Sequence, residues 1–241
     1  MKYRPGFPPA LIEFLVNQCG LTSDCVVADV GSGTGLLTEV FLRNNNVVFG
    51  IEPNRKMREA ACRNLARYPQ FRSVDATAEG TTLQDHSVDF VTVGRALHWF
   101  DYDRAFSEFL RIMKPGAWAV MVWMKRRNSP PFAFAYAYES LLLTYSVDHQ
   151  EKRQSQSKVE SRLTADGFQR RALEDQWTFD LQGLMGLTLS YSVTPEPDDA
   201  RFLSMKEALQ ALFHKHEHNG KVVLGYETLI YYARREVLTA K

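Results

Sequence analysis

The run Val26-Val27-Ala28-Asp29-Val30-Gly31-Ser32-Gly33-Thr34-Gly35 constrains the fold of this chain more than any other stretch. Small and apolar residues with one acid lead into glycines at alternate positions, and Leu36, Leu37, Val40 and Phe41 follow at helical spacing. The pattern is a buried strand, a tight glycine turn and a helix. Glycine has no Cβ to block approach, so such a turn lets a ligand touch backbone N–H groups at the mouth of an α/β sheet.

The alternation continues through residue 125. Ala10 to Cys19 reads as a short helix closed by Gly20, Cys25 to Val30 as the first strand and Leu36 to Arg43 as a helix. Val47 to Glu52 is a second strand ending on an acid, and Asn54 caps a helix carrying Met57, Ala60, Ala61 and Leu65. Phe71 to Val74 and Ser87 to Val93 are further strands, the latter nearly all apolar, as a parallel strand buried on both faces should be. Asp101 caps a helix that Pro115-Gly116 ends, and Ala117 to Met124 is a fifth strand. Alternating strands and helices imply right-handed crossovers and a doubly wound, mostly parallel α/β sheet, here of seven strands with a helical cap. Gly31 to Gly35, Glu52, Asp75 and Gly94 to His98 all fall at strand ends, so residues scattered along the chain converge on one crevice.

After residue 125 the pattern changes. Pro130 to Tyr145 is aromatic-rich and helical, and Gln150 to Glu160 is a mobile loop or a solvated helix. Gln176 to Leu181 is a strand, Asp198 to Glu217 a helix stopped by Asn219-Gly220, and Val222 to Tyr232 a last strand. The expected organisation is a single domain over 1–241: a cofactor-binding half (1–125), a helical cap (126–175), and C-terminal strands and helix completing the sheet (176–241).

The glycine spacing bears on the cofactor. A dinucleotide turn reads G-x-G-x-x-G with an acid about 20 residues on. Here the glycines stand at 31, 33 and 35, and Asp29 just before them would repel a pyrophosphate and suit a cationic ligand. Glu52 ends the second strand, where a carboxylate can take both hydroxyls of a ribose.

As a set, these residues resemble the class I S-adenosylmethionine-dependent methyltransferases. Asp29 to Gly35 resembles their first motif, and Glu52 stands where their ribose-binding acid lies. Asp75-Ala76-Thr77-Ala78-Glu79 resembles the segment that brackets the adenine, and Arg111 to Ala117 their "RxLKPGG" turn, with Ala117 in place of the second glycine. The resemblance covers about residues 1–125 and implies S-adenosylmethionine as cofactor, bound by Asp29, Gly31, Ser32, Gly33, Gly35, Glu52, Pro53, Met57, Asp75, Ala76, Arg95 and Trp99. Ala96 to Asp101 and Tyr3 to Pro8 are similar to the small-molecule group that includes trans-aconitate methyltransferase; Leu189 to Ser192 and Tyr226 to Arg234 resemble its C-terminal half less specifically. Members usually carry more chain before the Tyr-Arg-Pro segment, which sets the expectation of an incomplete N-terminal lid.

The implied reaction is methyl transfer to a small molecule, at a hydroxyl or carboxylate oxygen. A hydroxyl must lose its proton, and His98 is the candidate base. A carboxylate needs only positioning, for which Arg4, Arg95, Arg126 and Arg127 are candidates. A cofactor-binding protein without turnover and a nicotinamide-dependent reductase remain the alternatives. With 29 basic and 28 acidic residues, and with Gly94-Arg95-Ala96-Leu97 where a base-directed methyltransferase carries proline, nucleic acid is not the expected partner. His214 and His218 share a helix face near a C-terminus, where the dipole favours cations, so no metal is expected. Tyr136, Tyr138 and Tyr145 read as cap packing. The cysteines form no CxxC, and no apolar run is long enough for a membrane span, so the expectation is a cytoplasmic protein that binds no membrane; its oligomeric state is not legible.

Overall fold

A computed structural model describes residues 6–127, 133–146, 149–191 and 193–239. Its sheet has seven strands: β1 (Val26–Val30), β2 (Val47–Ile51), β3 (Phe71–Val74), β4 (Val88–Gly94), β5 (Met113–Arg126), β6 (Gln169–Phe179) and β7 (Val222–Arg234). They lie in the order β3-β2-β1-β4-β5-β7-β6. The first five pair in parallel, β1 between β2 and β4. The chain builds outward from β1 to β3, then returns to lay β4 on the other side of β1. That reversal is the switch point at which an open α/β sheet binds ligands. It joins the expected fold class, Rossmann-like and doubly wound.

Successive residues of a strand face opposite sides, and the central strands β1, β4 and β5 are largely apolar on both. Val27, Val48, Phe90, Val120 and Val122 pack on one face with Leu11 and Leu15 of α1 (Ala10–Cys19) and Leu37 and Phe41 of α2 (Leu36–Arg43). Ala28, Val30, Val91, Val93 and Met121 pack on the other with Ala105, Phe106, Phe109 and Ile112 of α4 (Tyr102–Ile112). Gly20 closes α1 at φ 70°, and Asn54 and Asp101 cap α3 (Arg55–Asn64) and α4 by accepting from Met57 N and Arg104 N.

Several boundaries differ from those read off the sequence. α4 stops at Ile112, not at Pro115-Gly116. The strand is already under way: Val88 pairs with Met113 and Phe90 with Trp118, so Pro115 and Gly116 sit in an irregularity of β5. Residues 150–160 belong to α6 (His149–Ala165), the helical alternative for that polar segment. β6 begins at Gln169 and ends at Phe179; Leu181 opens α7 (Leu181–Leu189), with Asp180 as its cap. Pro130 and Ser192 lie outside the described residues, as does the segment before Gly6 that includes Tyr3, Arg4 and Pro5.

The chain divides into two compact units. Among the described residues, one holds 6–124, 158–173 and 228–239, the other 125–127, 133–146, 149–157, 174–191 and 193–227. In the second, α5 (Ala133–Tyr145) packs with α7 and α8 (Phe202–His216). Tyr138 is fully buried there, its hydroxyl 2.7 Å from Thr188 Oγ1 and its ring stacked on Phe134. Among the described residues no helix is long and apolar enough to cross a membrane.

Candidate functional site

The glycine turn leaves β1 at the switch point. Gly31, Gly33 and Gly35 have φ of 67°, 57° and 90°, in the left-handed region where a side chain is strained. Gly31 also lacks room: a Cβ there would lie 2.6 Å from Ala96 Cβ and 2.9 Å from the Phe100 ring. Gly33 is open, with only the Met57 sulfur at 4.0 Å.

The turn's N–H groups are not bare. Gly31 N and Ser32 N donate to Ile51 O at 2.8 and 3.1 Å, Gly35 N to Ser32 O at 2.9 Å, and Gly33 N to Glu52 Oε2 at 2.9 Å. The expected approach of a ligand to free backbone donors is therefore corrected at these four positions: each has an internal acceptor. Glu52 is the reason for one of them. It is 7% exposed, and its other oxygen accepts from Asn54 N at 2.9 Å. An ionised carboxylate has about four lone-pair sites. Two therefore remain for hydroxyls of a ligand, on a group already fixed by backbone.

Asp29 points into the fold. In the register it stands opposite Thr92 of β4, and it accepts from Thr92 Oγ1 at 3.2 Å and Thr38 Oγ1 at 2.5 Å. Thr38 is the third residue of α2, so its bond ties the acid to the start of that helix. At 1% exposure Asp29 ties β1 to β4 and to α2 through these hydrogen bonds. Burial pushes its pKa up from 3.8 to about 7, against the lowering by its threonine hydrogen bonds. The sign follows: the unfolded chain ionises near pH 4 while the folded chain keeps its proton to about 7, so this group costs stability as pH rises through that window. Asp29→Asn removes the titration. The melting temperature of the variant is expected to rise relative to wild type by a few degrees between pH 5 and pH 8, at about 2–4 °C per kcal/mol for a chain of this size. A difference that stays constant across those pH values would overturn this assignment.

The remaining sequence candidates cluster at the same strand ends. Asp75 follows β3 and is exposed, Ala76 is buried, and Glu79 Oε1 accepts from Asp101 N at 2.9 Å, which ties this segment to the cap of α4. Arg95 follows Gly94 with φ 60°, its backbone N–H donating to Val122 O. A non-glycine residue held there is strained, as residues at functional sites often are. Its guanidinium lies over the Phe7 ring, 5.1 Å from the centroid, and against the Met124 sulfur. His98 and Trp99 form a 3-10 turn (Leu97–Trp99), their rings 4.9 Å apart, and Trp99 is 70% exposed. Pro53 and Met57 flank the start of α3, Met57 also exposed.

The other candidates belong to the second unit. Arg126 pairs with Glu139 and donates to the Tyr191 hydroxyl, and Arg127 pairs with Glu174 at 2.6 Å. Tyr136 is exposed, Tyr145 half-buried. His214 and His216 lie against Phe213 and Phe134, and among the described residues no three His, Cys, Asp or Glu side chains form a metal-binding group. The sequence reading missed Thr38 and Thr92, whose roles follow from the register opposite Asp29, and Arg58, which reaches from α3 to Asp75.

Residues 28–121 match the family model of the methyltransferase domain. An uncharacterized methyltransferase of Mycobacterium tuberculosis is 35% identical over 123 residues, 51% of this chain and 48% of that protein. The malonyl-[acyl-carrier protein] O-methyltransferase of a Marinomonas species is 27% identical over 135 residues, 54% of this chain and 49% of its own. The chain spans about half the length of these curated relatives. A solved structure from Anaeromyxobacter dehalogenans, described as a candidate type II methyltransferase, superposes with a TM-score of 0.73 over 97% of this chain and 98% of its own, at 23% identity. That likeness is one of fold.

Proposed function

We propose that this chain is an S-adenosylmethionine-dependent methyltransferase acting at an oxygen of a small molecule in the cytoplasm, with 1–125 as its cofactor-binding half. The carrying observation is the use of the turn's donors. A dinucleotide site presents free N–H groups and a helix N-terminus to a pyrophosphate. Here Gly31, Ser32, Gly33 and Gly35 donate internally, and the Asp29 carboxylate is tied to Thr38 at the start of α2. Glu52 meanwhile keeps acceptor capacity for two hydroxyls. A ligand with a ribose and no phosphate fits this donor set, and the methyltransferase-domain match over 28–121 supports it.

When bound, the cofactor supplies a methyl group activated on a sulfonium. The chain's part is to hold the sugar on Glu52, to read the base beside Asp75 and Ala76, and to shield the transfer from water with Trp99 and its neighbours. For a hydroxyl acceptor, His98 in the 3-10 turn is our candidate to take the proton. The O-methyltransferase relative supports oxygen as the acceptor atom, and the likeness of Ala96 to Asp101 to the trans-aconitate methyltransferase group supports a carboxylate.

Calorimetric titration with S-adenosylmethionine and, separately, NADH tests the cofactor. Micromolar binding of the first alone is expected; binding of NADH instead, or of neither, sinks the reading. With binding established, carboxylate and hydroxyl acceptors are screened for methyl transfer. For a hydroxyl acceptor His98→Ala is expected to lower turnover about 100-fold with cofactor affinity intact. Turnover at the wild-type rate would end the base role.

A further inference from the structure

Arg58 takes no part in the reading above, yet it joins two of its residues. The side chain is only 15% exposed. Nη1 donates to the carbonyl oxygens of Glu52 at 2.9 Å and Pro53 at 2.7 Å, and Nη2 donates to Asp75 Oδ2 at 2.5 Å. One planar fork therefore grips the backbone at the end of β2 and, through its other arm, the carboxylate at the end of β3. Asp75 itself is 69% exposed, held by one oxygen, with Oδ1 outside this bond.

We propose that Arg58 is a positioning residue that sets which purine the site accepts, an inference that rests on the cofactor reading above. An aspartate this exposed, left alone, samples several rotamers and bonds to water. Anchored by two carbonyls, the guanidinium does not follow such motion, and its geometry fixes the carboxylate it holds. A fixed, ionised carboxylate accepts hydrogen bonds and donates none. Oδ1 then favours a 6-amino purine, whose N–H donates, and opposes a 6-oxo purine, whose oxygen would face like charge. The same fork ties Asp75 to the backbone that carries Glu52, so the sugar-binding and base-binding carboxylates keep a constant separation. The ion pair is half in solvent and adds little to stability. Its effect lies in discrimination between ligands.

The test compares S-adenosylhomocysteine with S-inosylhomocysteine, its 6-oxo counterpart, by calorimetry on wild type, Arg58→Met, Arg58→Lys, Asp75→Asn and the double variant Arg58→Met/Asp75→Asn. Wild type is expected to prefer the adenosyl ligand by at least about tenfold, the worth of one hydrogen bond to a charged group. Arg58→Met should lose most of that preference through weaker adenosyl binding, Asp75→Asn should do the same, and the double variant should lose no more than either. Arg58→Lys should restore part of it. Should Arg58→Met weaken both ligands equally, keep the wild-type ratio, or add its loss to that of Asp75→Asn, the positioning role is overturned. A wild type that binds both ligands equally overturns it as well. Wild type binding neither ligand is a different failure, that of the cofactor reading itself, and is seen before any variant is made.

Discussion

Glu52→Ala is expected to weaken S-adenosylmethionine binding at least about 100-fold. The estimate has two parts. Two ribose hydroxyls donating to a carboxylate are worth about 1.5–3 kcal/mol each when the partner is charged. The substitution also strips the acceptors of Gly33 N and Asn54 N, so the glycine turn and the entrance to α3 lose their common anchor. Glu52→Gln separates the parts. It keeps one oxygen for backbone but turns the other into a donor, and an intermediate loss is expected. Calorimetry on the three proteins decides the matter. A loss below about tenfold in the alanine variant would show that Glu52 organises the loop and does not hold the sugar.

The second large effect is at Gly31. Alanine there is expected to lower the melting temperature by about 4–20 °C and to abolish measurable cofactor binding. A left-handed φ of 67° costs a side chain about 1–2 kcal/mol. The Cβ would also overlap Ala96 and Phe100, and overpacking adds about 1–3 kcal/mol. At about 2–4 °C per kcal/mol the sum reaches the stated range. The displaced residues flank the His98-Trp99 turn, so relief of the clash moves that turn. Gly33→Ala is the internal comparison. It carries the same backbone strain at φ 57° but meets only the Met57 sulfur at 4.0 Å, so it should melt closer to wild type. Equal destabilisation of the two variants would mean that strain, not the Ala96 contact, governs Gly31.

The first half of the fold was legible because each element carries its own signal. β1 and β4 are largely apolar on both faces, as a central parallel strand needs to be. Asn54 and Asp101 stand where caps stand, and both side chains accept the expected backbone N–H. Pro115-Gly116 misled because the pair reads as punctuation after a helix, whereas here it fills an irregularity in a strand that has already begun. β6 was shortened for a different reason. Gln169-Arg170-Arg171 is polar and exposed at the edge of the sheet, where no alternation is required. α7 was missed because its two glycines argue against a helix; its Asp180 cap and its packing with α5 and α8 offset them.

Within the site, Asp29, Glu52 and the glycines were legible as types at a spacing. Their hydrogen-bond partners were not. Nothing in a linear sequence says that Thr38 and Thr92 meet Asp29, since one depends on the turn of α2 and the other on strand register. Arg58 lies 17 residues from Asp75 and reads as one more solvated arginine on a polar helix until β3 is laid beside β2.

The internal pairing of the glycine turn also bears on how such a chain could change ligands over evolutionary time. Shifting the third glycine by one place is a single short step in sequence, and it would produce a dinucleotide spacing. It would not produce a dinucleotide site. Asp29 would still bond Thr38 at the head of α2, Glu52 would still hold Gly33 N, and Ile51 would still take the two N–H groups before it. Each of these must be released separately, and each release on its own loosens the loop before any new ligand compensates. The two glycine-turn chemistries are thus separated by a valley of less stable intermediates rather than by one residue.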